Sequence, residues 1–125
     1  MTQEEKKNIL LRDLCARLPY EPIVEYAIKG PGGSINITCK LDTFHIEELL
    51  QDSEDLVEVK SYLRPMSSMT EEEKMKLSLS QIYAFTHYNE IAKIDWLNEH
   101  HFDYRDLIDK GLAIEVTEEN NPYKN

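Results

Sequence analysis

The chain has 125 residues, enough for one domain that buries a substantial core without a disulfide or metal to hold it. Its hydrophobic share of 41% with 30% charged residues excludes a disordered chain, and no apolar run approaches the length that spans a membrane. Fourteen basic against twenty-four acidic residues, a net charge of −10 divided evenly between the two halves, disfavours direct binding to a phosphate backbone.

The opening MTQEEKK is polar, and the apolar stretch after it is broken by Arg12, Asp13 and Arg17, so the reading is cytoplasmic with no signal peptide. Thr2 followed by Glu5 makes a capping box, and Leu10, Leu14 and Leu18 recur at helical spacing, which predicts a helix ending by Leu18 because Pro19 follows. Ile23–Lys29 and Ser34–Leu41 are rich in β-branched and aromatic residues. With Gly30-Pro31-Gly32-Gly33 between them they predict a hairpin, in whose second arm Ile35, Ile37 and Cys39 face the core. The glycine run lacks the Lys-Ser/Thr and the helix of a phosphate loop. Cys15 and Cys39 are expected as free, small core residues.

From Asp42 to Gln51 the signals conflict, and the alternation of Phe44 and Ile46 favours a short third strand. Leu56, Val59 and Leu63 at i, i+3 and i+7 predict a helix capped by Asp52 or Ser53 and ended before Pro65. Thr70 and Glu73 form a further capping box, opening a helix with Met75 and Leu79 on its buried side. Residues 78–88 fit neither period. Asn89 caps the next helix, where Ile91, Ile94, Leu97 and His101 share a stripe with Trp96 as a core anchor.

Asp103, Asp106, Lys110, Gly111 and Leu112 predict a short helix over 103–110 that starts at an Asp103 cap and closes in a Schellman motif, with Phe102 and Leu107 as its hydrophobic staple. Leu112–Val116 adds a strand, and 117–125 is expected to be a loose acidic tail outside a domain of residues 1–116. The whole is α+β: a small antiparallel sheet built on the 23–41 hairpin, an N-terminal helix and a helical C-terminal half that packs on one sheet face.

Chemistry-bearing patterns are sparse. Glu99, His100, His101 and Asp103, with His87 upstream, suggest a metal site, but adjacent histidines diverge on a helix, and HExxH and paired CxxC patterns are missing. There is no GxSxG elbow, and neither cysteine has a neighbouring His to activate it. No catalytic residue, cofactor or metal is therefore expected. Tyrosines combine an apolar body with a polar tip and are enriched at interfaces, which makes Tyr83, His87, Tyr88 and Tyr104 the candidate partner surface.

The phrases DLCARLPY (13–20), YLRPMSSMTEEE (62–73), DWLNEHHFDYRDLIDKGLAIE (95–115) and the closing EENNPYK resemble a family of small uncharacterised proteins of gut anaerobes, often encoded by prophages or other mobile elements. The resemblance covers about half the chain and implies a compact accessory protein; it brings no activity or ligand. Glu21 and Asp106 stand where that family often has glycine, which leaves the local turn geometry open. The functional expectation is a non-catalytic protein-interaction module with an unknown protein partner. One alternative is a small metal-binding protein or enzyme using His87, His100, His101 and Asp103. A second is an acidic protein that binds a nucleic-acid-binding partner.

Overall fold

The computed structural model describes residues 1–83 and 89–124, with the backbone alone for 79–83 and 89. The fold is α+β. Helix α1 (Gln3–Arg17) starts where expected, the Thr2 hydroxyl accepting from Glu5 N at 3.1 Å, and gives way to a 3-10 turn at Leu18–Tyr20. Strands β1 (Ile23–Gly30) and β2 (Gly33–Lys40) form the expected hairpin, pairing from Ile23 with Lys40 to Gly30 with Gly33.

The next two elements correct the sequence reading. Residues Thr43–Leu50 form helix α2 where a strand was expected, and Leu56–Pro65 form strand β3 where a helix was expected. Asp42 decides the first. Its carboxylate accepts from Phe44 N at 3.0 Å, while the His45 ring takes the place of the usual Glu and accepts from Asp42 N through Nδ1 at 3.0 Å. In β3 the buried residues are Val59, Ser61 and Leu63, a period of two whose middle member is polar, so the apolar spacing alone imitates a helix.

Helices α3 (Glu71–Tyr83) and α4 (Asn89–Glu99) follow. The capping box opening α3 is complete: Glu73 N donates to the Thr70 hydroxyl at 3.1 Å and Thr70 N to the Glu73 carboxylate at 3.0 Å. Strands β4 (Phe102–Asp103) and β5 (Ala113–Glu115) both run parallel to β3, so the sheet is mixed, in the order β2-β1-β3 with β4 and β5 sharing the far edge of β3.

Leu10 and Leu14 of α1 and Ile46 of α2 pack with Val24, Tyr26 and Val59 on one face of the sheet. A smaller cluster of Leu63, Leu107 and Ala113 extends the core, with Ile9 packed against it. The C-terminal helices do not cover that face as expected: α3 and α4 pack on each other, and α4 touches α1 and β4. Met75 and Ile91, expected inside, are 67% and 56% exposed. Cys15 is exposed as well, and only the half-buried Cys39 joins the core; both are free.

The expected helix over 103–110 is also corrected. Asp103 is extended where it pairs with Pro65, and Asp106 takes a left-handed φ of 57°, which breaks the helical path. One hydrogen-bonded turn remains. Asp103 caps it from beyond the break, its two carboxylate oxygens accepting from Leu107 N and Ile108 N at 2.9 Å each. The Schellman closure forms as expected, with Leu112 N donating to Leu107 O, Gly111 N to Ile108 O, and Gly111 at φ 73°.

The expected loose tail folds back onto the domain. The Tyr123 hydroxyl donates to Tyr62 O at 2.7 Å and accepts from Ile23 N at 2.9 Å, and its ring stacks on His101 at 3.8 Å between centroids.

Candidate functional site

Two regions compete for a functional role: the polar cluster near the C-terminus that the sequence singles out, and the outer edge of the sheet. The first is turned inward. Asp13 and Arg17, one turn apart on α1 and both fully buried, are joined at 2.7 Å. Arg17 also donates to Phe102 O at 2.7 Å, and Arg105 reaches the other Asp13 oxygen at 2.8 Å. The Tyr104 ring lies near both guanidinium groups, 5.0 Å from Arg17 and 4.8 Å from Arg105, and its hydroxyl donates to Asn98 Oδ1 at 2.7 Å. A buried carboxylate shared by two arginines binds α1 to the segment after α4 and offers no surface to a partner.

The histidines are held instead by ring packing. His100 packs on Trp96 at 4.1 Å between centroids, and Trp96, half-buried, stacks on Phe102 at 5.8 Å. His101 ends α4 at φ 63° and stacks on Tyr123. Burial, reinforced by the nearby charges of Arg17, His100 and Arg64, lowers its pKa to about 4 and keeps the ring neutral. His100, His101 and Asp103 thus face three different sets of neighbours. Among the described residues no three His, Cys, Asp or Glu side chains are grouped to hold an ion. His87 and Tyr88 lie outside the described residues, as does the side chain of Tyr83, so Tyr104 is the one member of the candidate partner surface with described contacts, and these are internal.

The fold gathers cations that are scattered in sequence. Lys6, Lys7, Lys60 and Lys110 line a hollow of about 290 Å³ beside α1, and Arg12, Arg105 and Lys110 line a second of similar size. Four of the six are committed to internal partners: Lys7 to Asp52, Lys60 to Glu58, Arg105 to Asp13, and Lys110 to Arg105 O. The carboxylates of Asp52, Glu58 and Asp13 offset part of this charge.

The sheet edge is different in kind. Among the described residues nothing pairs with the outer edge of β2, and every residue from Pro31 to Thr38 is exposed. Register places Ile35 opposite Ile28 and Ile37 opposite Tyr26, so both isoleucines point to the face carrying the core, as expected. They lie past the cover of α1 and α2, however, and remain 48% and 41% exposed. Phe44 of α2, 48% exposed, sits edge-on to Tyr26 at 5.9 Å and extends the apolar surface. A Cβ at Gly30 would lie 2.7 Å from Ile35 Cδ1, so a side chain there would have to displace the exposed Ile35.

His45 anchors this corner from below. It is 5% exposed, approaches Cys39 Sγ through Nε2 at 3.5 Å and packs on Tyr26 at 5.0 Å; burial lowers its pKa and raises that of Cys39. Edge strands of monomeric proteins are commonly guarded by charges, prolines or bulges. From Gly33 to Cys39 this one has neither charge nor proline, and its register with β1 runs without a bulge. The sequence contains that signal, but the expectation that Ile35 and Ile37 would be covered concealed it.

Comparison with family models, with curated proteins and with solved structures found no match to this chain.

Proposed function

We propose that this protein is a non-catalytic interaction module whose contact surface is the outer edge of β2 together with Ile35, Ile37 and Phe44. The carrying observation is an exposed edge strand of eight residues, unguarded from Gly33 to Cys39 and bordered by apolar side chains on one face. Unpaired backbone groups along such an edge supply main-chain hydrogen bonds to an added strand, and alternate side chains supply selectivity. The sequence resemblance adds the setting, an accessory role in phage or mobile-element biology. The surface named from sequence, Tyr83, His87, Tyr88 and Tyr104, is replaced in this reading, because Tyr104 is engaged internally.

Affinity capture from the native cell with two baits tests the proposal, wild type against Ile37→Lys. The expected result is a protein retained by the first bait and lost from the second, with little weakening as salt is raised. Identical captures from both baits overturn the edge. Capture that collapses with salt favours the acidic-surface alternative instead, and stoichiometric zinc in the purified protein favours a metal-binding role.

A further inference from the structure

We infer that the strand added to β2 is β2 of a second copy, in an antiparallel pair centred on Asn36, so that the chain forms a two-fold dimer with one sheet continuous across both subunits. This rests on the strand-edge reading above and names its partner.

The residues that face outward along this edge read nearly the same in both directions. Ser34-Ile35-Asn36-Ile37-Thr38 is a near-palindrome about Asn36, with a hydroxyl residue at each end, Ser or Thr, and two isoleucines inside. A two-fold interface requires a surface complementary to itself, each residue meeting the copy of its mirror position. With Asn36 opposite its own copy, Ile35 faces Ile37, Ser34 faces Thr38, and Gly33 faces Cys39, each pair occurring twice.

Directly opposed residues of an antiparallel pair point to the same face, so this register unites four isoleucines on the side where β1 carries Tyr26 and Ile28. Phe44 from each subunit flanks them. A slip of one residue would send each isoleucine to the face opposite its counterpart, which disfavours the neighbouring registers. No charge from Gly33 to Cys39 opposes the pairing. The net charge of −10 on each copy does oppose it at long range, so the dimer should tighten as salt screens that repulsion, the reverse of what binding to a basic partner would do.

Charge exchange at the two-fold centre tests this inference. Sedimentation velocity is run on the wild type, on Asn36→Asp, on Asn36→Lys and on an equal mixture of the two variants, with thermal melts to show that each variant is folded; Asn36 is exposed, so the substitutions leave the core untouched. The expected result is a concentration-dependent wild-type dimer, a dissociation constant weakened by about tenfold or more in each variant alone, where like charges meet across the axis, and recovery in the mixture, where opposite charges meet. A wild-type dimer that neither variant weakens overturns the inference. So does a monomeric wild type. If Ile37→Lys still abolishes capture of another protein in that case, the strand-edge reading survives and only the second copy is rejected.

Discussion

Among the described residues four non-glycine residues adopt left-handed backbone, Glu21, Asp52, His101 and Asp106, and each ends or interrupts a helical segment. At Glu21 and Asp106, where the sequence leaves the turn geometry open, the backbone is left-handed, with φ 49° and 57°. A side chain in this region costs about 1–2 kcal/mol, part of which glycine returns through the freedom of the unfolded chain. Glu21→Gly is therefore expected to stabilise the protein by about 1 kcal/mol, measured as the shift in urea midpoint. Asp106→Gly should gain less, because Asp tolerates this conformation better than Glu. At this scale the sequence was informative about chemistry and poor about location. Asp103 is a cap and Gly111 a closure, as their types imply, but Asp106 breaks the helix between them, and nothing in its side chain announces that.

Among elements, α1 and the hairpin were legible because their start and stop residues agree with their apolar period, whereas α3 was legible from its capping box alone. The segments α2 and β3 were exchanged for a physical reason. Short apolar runs carry too few repeats to separate periods of 2 and 3.6, and a buried Ser61 and a His45 that completes a cap are invisible to a hydrophobic pattern. The C-terminal segment was misread as loose because its composition is polar, yet one aromatic fastens it. Tyr123→Phe removes the hydroxyl from both Tyr62 O and Ile23 N. The expected cost is about 1–3 kcal/mol in a chemical melt, since the backbone donor of Ile23 loses its partner. An unchanged melt would mean that these two hydrogen bonds contribute nothing to stability.

Over the whole molecule, acid acts chiefly through buried histidines. His45 and His101 are held neutral by burial, so the unfolded chain binds protons that the folded chain refuses. Stability is fully present above the unfolded pKa of about 6.5 and falls as pH drops toward the folded value of about 4 for His101, a loss of up to about 3 kcal/mol from that residue. Glu73 extends the decline. Its pair with Arg64, at 2.6 and 2.7 Å, lowers its pKa to about 2, so that contribution is lost as pH falls from about 4.5 through 2. Urea midpoints between neutral pH and pH 4 should show the decline, and His101→Asn, which also tolerates left-handed backbone, should flatten it.

The whole molecule shows one division of labour: polar side chains are spent on internal ties, and an unguarded strand is left outside. Amide hydrogen exchange, mapped along the chain in the dilute and in the associated protein, tests it most directly. Protection gained within Gly33–Lys40 and beside Phe44, with the amides of 98–106 unchanged, is the expected result. Protection gained at 98–106 while β2 exchanges as before would contradict it.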